Sequence, residues 1–180
     1  MRKIYGLAIV AAAALSLAAC SNSSNTESSA DNKSTEAGAS EVASEGASAN
    51  PDLETITIGS TGPLTGGAAS YGISVKQGAE IAIEEINNAG GVKVGDKSYN
   101  LALQFEDDEA DEEKARTAYS TLMDKKVDVI MGAVTSGSSL AITDLTKADN
   151  ILQLTPSGSA AGITANDNVF RLCFTDPIQG

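Results

Sequence analysis

Residues 127–155, VDVIMGAVTSGSSLAITDLTKADNILQLT, contain two short apolar runs that enclose a helical pattern. VDVIMG is a continuous apolar run, which is typical of a central strand covered on both faces. ILQLTP indicates a second buried strand. Between the two runs, the spacing of apolar residues predicts a helix. The predicted buried face of this helix consists of Leu140, Ala141, Leu145 and Ala148.

Strand and helix patterns also alternate on both sides of this stretch. LETITIG and SYNLALQFEDD predict strands, and VFRLCF predicts a last strand in which Cys173 is a buried, small apolar residue. Two more helices are predicted, with buried faces at Val75, Ala79, Ala82 and Ile86 and at Ala115, Ala118, Tyr119 and Leu122. The order β-α-β-α-β-α-β predicts an α/β fold, a doubly wound parallel sheet with helices on both faces.

The first 52 residues have a different composition. Residues 1–19 begin with Arg2 and Lys3, continue as an apolar run and end in small residues, which predicts a secretory signal peptide. Residues 20–52 are rich in Ser, Ala, Glu, Asn and Gly. Such a segment cannot bury enough apolar surface to offset the entropy of ordering, so a flexible tether is predicted. The folded part is therefore predicted to span residues 53–180.

Composition argues against several classes of function. The net charge is −12, from 24 acidic and 12 basic residues, which argues against a nucleic-acid partner. The sequence has no histidine, so the commonest general base and the commonest neutral metal ligand are missing. We therefore expect no catalytic residues, no metal and no cofactor.

Ligands of parallel α/β sheets bind outside the carboxyl ends of the strands. Here those ends carry STGPLTGGAASYG, EDDEADEE, GAVTSGSS and TPSGSAAG. The nearest match to a phosphate loop, GAASYGIS, has Ile73 where the loop needs lysine. No G-x-S-x-G motif is present, which disfavours a serine nucleophile. A carboxylate bound by helix-start amides and hydroxyls needs neither motif.

Two structural roles are predicted for polar residues of these turns. Residues 111–113 are expected to cap a helix, and the other acids of residues 106–113 to be solvated. Ser138 and Ser139 are expected to serve as N-caps. Ser136 and Ser159 are instead expected to contact a ligand.

Together, TITIGSTGPLTGGAASYGISVKQGAEIAIEEINNAGGV, FEDDEADEEKA, VDVIMGAVTSGSSLAI, ILQLTPSGSA and VFRLCFTDPIQG resemble the first half of the branched-chain amino-acid-binding proteins. These proteins are type I periplasmic substrate-binding components of ABC transporters. The resemblance implies that residues 53–180 are the N-terminal lobe of a two-lobe fold, with the second lobe absent. It also implies an amino-acid ligand and ABC permease subunits as partners.

The resemblance further assigns roles to individual residues. Ser136 and the amides of its turn would bind the ligand's α-carboxylate, and the turn of Ser157, Gly158 and Ser159 would offer a main-chain carbonyl and a hydroxyl to its α-ammonium. Tyr71 would lie over the side-chain or cleft side of the site. Some relatives have a disulfide near the site, where this sequence has Asp108 and Thr135.

The sequence LAAC at residues 17–20 resembles the lipobox of bacterial lipoproteins. The resemblance implies that Cys20 is lipidated, becomes the first residue of the mature protein and attaches it to a membrane. The resulting hypothesis is a lipid-anchored, extracytoplasmic solute-binding component of an ABC transporter. An extracytoplasmic sensing module of a signalling system is the alternative.

Overall fold

The computed structural model describes residues 49–179, within which six strands form one sheet of order β2-β3-β1-β4-β5-β6. The strands are β1 (Thr55–Gly62), β2 (Val92–Val94), β3 (Lys97–Asp107), β4 (Val129–Met131), β5 (Gln153–Thr155) and β6 (Val169–Arg171). Strand β2 pairs antiparallel with β3, and all other neighbours in this sheet pair in parallel. The predicted doubly wound α/β fold is confirmed, with the β2–β3 hairpin as an unpredicted addition.

The helices lie on both faces of the sheet. They are α1 (Ala69–Asn88), α2 (Glu112–Asp124), α3 (Ser136–Ala148) and the short α4 (Asp176–Gln179), with a 3-10 turn at Ala161–Thr164. The chain moves one way from β1 to β3 and the other way from β3 through β4 to β5. Because such crossovers are right-handed, α1 covers one face, and α2 and α3 cover the other. No helix within residues 49–179 is long and apolar enough to cross a membrane.

The reversal of strand order places β1 next to β4 in the middle of the sheet. The loops that follow these two strands run to opposite faces, and a crevice opens between them at their carboxyl ends. This crevice is the expected position of a ligand in an open α/β sheet.

Helix α2 matches its prediction. Ala115, Ala118, Tyr119 and Leu122 are all buried. The side chain of the N-cap residue Asp111 accepts hydrogen bonds from the amides of Glu113 (3.0 Å) and Lys114 (2.9 Å). This buried face packs with Val127, Ile130, Ala133 and Ile142 in the main apolar cluster of the described residues.

The predicted buried face of α3 is wrong at Leu140, Leu145 and Ala148, which are exposed, and right at Ala141. The buried residues are Ser138, Ser139, Ala141, Ile142, Thr143 and Thr146. The reason is that the inner face of α3 makes hydrogen bonds as well as apolar contacts. Thr146 Oγ1, for example, donates to Oε1 of the buried Gln153 over 2.9 Å.

Two smaller expectations also fail. On α1 the buried apolar residue is Ile83, while Val75, Ala79 and Ile86 are half-buried and Ala82 is exposed. Cys173 lies in a bend after β6, half-buried, with its thiol 3.4 Å from the carbonyl oxygen of Gly158. Strand β6 ends at Arg171, at the edge of the sheet, so the core does not extend to Cys173.

Candidate ligand-binding site

A cavity of about 270 Å³ opens at the crevice between the ends of β1 and β4. It is lined by Ala68, Tyr71, Val134, Thr135 and Ser157. These residues come from the loops and helix starts that follow β1, β4 and β5. The cavity is therefore formed by three turns of the same sheet edge, and it combines apolar surface with three hydroxyl-bearing residues, Tyr71, Thr135 and Ser157.

Tyr71 stands at the rim of this cavity, with 68% of its surface exposed. The neighbouring Gly72 is buried where α1 meets the loop after β1. A Cβ atom at Gly72 would lie 2.0 Å from the carbonyl oxygen of Pro63, so no larger residue fits there. The close contact holds the first turn of α1, and with it Tyr71, against the loop.

The loop after β1 is also held by Asp107, the last residue of β3. Its carboxylate accepts hydrogen bonds from the amide of Leu64 (2.8 Å) and from Oγ1 of Thr65 (2.6 Å). Partial burial acts to raise the pKa of Asp107, but the hydrogen bonds from Thr65, Leu64 and Glu109 outweigh it and hold that pKa below its ordinary value. The expectation that this carboxylate is solvated is wrong, because it fixes a loop that borders the cavity.

Asp108 departs further from the expectation of a solvated acid, since it is fully buried. It accepts hydrogen bonds from Thr61 Oγ1 (3.1 Å) and from the amide of Ala110 (2.9 Å). Burial raises the pKa of Asp108, although the bonds from Ala110, Thr61 and Ser138 act in the opposite direction. This carboxyl therefore links the ends of β1 and β3 beneath the site.

The start of α3 presents free amides. Its N-cap residue is Thr135, whose side chain makes no capping hydrogen bond. The amides of Ser136, Gly137 and Ser138 find no acceptor within residues 49–179. The expected N-caps are wrong, because Ser138 and Ser139 lie inside the helix and are buried. The hydroxyl of Ser139 donates to the carbonyl of Ala133 (2.9 Å), and that of Ser138 accepts from Thr135 Oγ1 (3.0 Å).

Ser136, the first residue of α3, joins this helix start to the turn after β5. Its hydroxyl oxygen accepts hydrogen bonds from the amides of Ser159 (3.1 Å) and Ala160 (3.3 Å). A serine hydroxyl has two lone pairs and one proton, so two accepted bonds leave it the proton to donate. Ser136 is therefore suited to an anionic or neutral acceptor.

The turn of residues 157–160 packs tightly against β4 and β5. Ser157 Oγ donates to the carbonyl of Val134 over 2.6 Å, and the amide of Gly158 donates to Thr155 Oγ1 over 2.9 Å. A Cβ atom at Gly158 would lie within 3 Å of Thr155, Ile163 and Ser139 side chains, so the turn requires glycine there.

Most main-chain oxygens of this turn are already paired. Arg171 donates to the carbonyls of Gly158 and Ala160, and the amide of Asp176 donates to that of Ser159. The carbonyl of Ser157 and the hydroxyl of Ser159 have no partner within residues 49–179. These two oxygens remain available as acceptors.

Of the five residues selected from the sequence, Tyr71 and Ser157 line the cavity. Ser136 is bonded to the amide of Ser159, and Gly158 lies between Ser157 and Ser159 in the same turn. Ala68, Val134, Asp107 and Arg171 were missed. Ala68 and Val134 carry no chemical signal in a sequence. Arg171 could have been found, because a charged residue inside a predicted strand indicates a specific partner. No cluster of potential metal ligands occurs within the described residues.

These features define a binding lobe in which donors of a helix start face acceptors of a neighbouring turn. A family model described as periplasmic binding protein matches residues 55–180. The chain belongs to this family, which consists of binding proteins and not of enzymes.

Relatives are similar over the same region. A Leu/Ile/Val-binding protein homolog 3 from Brucella melitensis is 37% identical over 126 residues, which cover 69% of this chain and 33% of the relative. The chain thus spans about a third of the length of the curated relatives it matches.

Solved structures show the same fold. A branched-chain amino acid transporter substrate-binding protein from Streptococcus pneumoniae, in complex with isoleucine, aligns with a TM-score of 0.63 and 28% identity over 68% of this chain and 35% of its own. A solute-binding protein of an ABC transporter from R. palustris, in complex with benzoate, aligns with a TM-score of 0.58 and 30% identity over 67% of this chain and 33% of its own.

Proposed function

We propose that the complete protein binds an aliphatic amino acid, of the branched-chain type, and delivers it to an ABC permease. The observation that supports this most strongly is the state of Ser136. Its oxygen is engaged by two amides of the neighbouring turn, and its proton is left to donate to a ligand beside Thr135, which lines the cavity. A carboxylate is the ligand group that fits such a donor beside three free helix amides.

The ammonium of the same ligand would bind at the turn after β5. There the carbonyl of Ser157 and the hydroxyl of Ser159 are free acceptors within the described residues. A zwitterion removed from water needs hydrogen bonds for both charges, because an unpaired buried charge is very costly. Donors and acceptors on adjacent turns meet this requirement.

The side chain of the ligand would lie in the apolar part of the cavity. Ala68 and Val134 line it, and the ring of Tyr71 stands at its rim. This surface offers no charged group to a ligand side chain, which favours leucine, isoleucine or valine over polar amino acids. We further propose a second lobe in the complete protein, which would close over this half of the cleft.

Membrane attachment belongs to the same proposal. Residues 1–19 would be a lipoprotein signal peptide, Cys20 the lipidated residue and residues 20–52 the lipidated start and tether. Residues 1–48 lie outside the described part of the structure, so their sequence alone supports this step. A lipid anchor would keep the binding protein near its permease.

Calorimetric titration of the complete protein with leucine, isoleucine, valine, alanine and benzoate tests the ligand class. We expect binding of branched-chain amino acids and no binding of benzoate, which lacks an ammonium. Tight binding of benzoate with no binding of amino acids would instead assign the site to aromatic carboxylates, as in the similar R. palustris protein.

Substitution of Ser136 tests the carboxylate role. Ser136→Ala removes a hydrogen bond to a charged group, so we expect leucine affinity to fall roughly 10- to 150-fold. Ser120→Ala is the matched control, because Ser120 is exposed on α2. Unchanged affinity in Ser136→Ala would contradict the assignment of this residue.

A further inference from the structure

Arg171 is the last residue of β6 and pairs with Thr155 at the end of β5. Its side chain is half-buried and turns back over the neighbouring turn. One terminal nitrogen, NH1, donates to the carbonyls of Gly158 (3.2 Å) and Ala160 (3.0 Å). The other, NH2, lies 3.4 Å from Thr164 Oγ1.

These contacts decide which oxygens of the turn a ligand can use. The guanidinium occupies two carbonyls of the turn, whereas the carbonyl of Ser157 and the hydroxyl of Ser159 have no partner within residues 49–179. Without the guanidinium, the carbonyl of Gly158 would keep only the weak donor Cys173 Sγ, and that of Ala160 only a 3.4 Å bond from the amide of Ile163. Loss of the stronger, charge-assisted bonds would therefore favour a rearranged turn. The amides of Ser159 and Ala160, bonded to Ser136, would move with it.

We propose that Arg171 is a positioning residue for the ligand site, which it affects through the turn of residues 157–160 without contact with the ligand. The inference rests on the proposed function. Arg171 holds the ammonium acceptors in place and also fixes the amides that orient the Ser136 hydroxyl. Both halves of the zwitterion site thus depend on one guanidinium.

A single nitrogen, NH1, donates to both carbonyls, and the planar guanidinium fixes the direction of its two N–H groups. A lysine ammonium has three N–H donors but is a compact charge on a flexible chain. Arg171→Lys should therefore keep part of the affinity that Arg171→Ala loses. Arg116→Ala is the matched control, because Arg116 is also half-buried and also donates to a main-chain carbonyl, that of Ala141 (3.4 Å).

Two measurements on the complete protein test the proposal. Calorimetry with leucine should show an affinity loss of at least about tenfold for Arg171→Ala, which loses both charge-assisted hydrogen bonds to the turn, and a smaller loss for Arg171→Lys. Amide hydrogen exchange without ligand should become faster at Ser159 and Ala160, while exchange of the buried α2 residues Ala118 and Leu122 stays unchanged. Arg116→Ala should show neither local effect.

Unchanged leucine affinity in the Arg171 variants would overturn the proposal. So would an equal acceleration of exchange in the turn and in α2, because that pattern indicates a loss of global stability. If the wild type binds none of the amino acids, the proposed function fails. The exchange data alone then decide whether Arg171 holds the turn, and unaltered exchange at Ser159 and Ala160 would refute it.

Discussion

Single residues of this lobe act through the direction of their hydrogen bonds. Ser136 can only donate to a ligand, because its oxygen already accepts hydrogen bonds from two amides. The carbonyl of Ser157 is available to a ligand, whereas that of the neighbouring Gly158 is occupied by Arg171. Position after a predicted strand was enough to select Ser136 from the sequence. Asp108 could not be recognised in the same way, because a run of acids reads as solvated until the tertiary fold shows that one of them is buried.

The buried Asp108 carboxyl should make stability depend on pH. Because burial raises its pKa above the ordinary value of 3.8, the native state retains this proton at a pH where the unfolded chain has lost it. Its contribution to stability is therefore largest below that ordinary value and falls as pH rises through the raised pKa. Asp108→Asn should remove this dependence. The difference in unfolding free energy between the variant and wild type should therefore shift in favour of the variant as pH rises from acidic to neutral.

Urea unfolding of both proteins across this pH range measures the effect. Asp107→Asn is the comparison, since the pKa of Asp107 is lowered and its contribution has the opposite sign. That contribution is present above 3.8 and is lost as pH falls through the lowered pKa. A difference between wild type and Asp108→Asn that stays constant with pH would contradict the prediction.

At the scale of elements, α2 and α3 show what periodicity can and cannot predict. The inner face of α2 is apolar, and its spacing was enough to identify Ala115, Tyr119 and Leu122. The inner face of α3 is rich in hydroxyl residues that bond to the loop after β4 and to β5. A search for apolar spacing assigns such residues to solvent, so it selected Leu140 and Leu145 instead.

Thr146 provides the test at this scale. Its hydroxyl donates to Oε1 of Gln153 (2.9 Å) and accepts from Nδ2 of Asn168 (3.2 Å). Thr146→Val keeps the shape and leaves Gln153 Oε1 unpaired, whereas Asn168 Nδ2 keeps its bond to the carbonyl of Ile151. The loss should lower the free energy of unfolding by about 1–3 kcal/mol. Thr117→Val on the exposed side of α2 is the control, expected to change it by less than about 0.5 kcal/mol. Equal unfolding free energies for Thr146→Val and wild type would show that the Thr146 hydroxyl does not help to hold α3.

The whole molecule combines a described lobe with segments that only the sequence describes. The parallel class of the sheet was predictable, but the pairing of β2 with β3 was not, because β2 has only three residues, too few to show a strand pattern. The site lies where the strand order reverses, so three turns that are far apart in sequence meet at one cavity. Attachment to a membrane would keep this binding site near its permease.

The proposed anchor can be tested with Cys20. Acyl chains contribute about 0.8 kcal/mol per buried methylene, so two or more chains would hold the protein on a membrane without a spanning helix. In cells grown with a labelled fatty acid, we expect wild-type protein to carry label and to sediment with membranes. Cys20→Ser should carry none, and Cys173→Ser is the control that should retain it. Label on the Cys20→Ser protein, or an unlabelled wild type, would contradict lipidation at this residue. The proposed attachment to a membrane would then fail, because it depends on the acyl chains at Cys20.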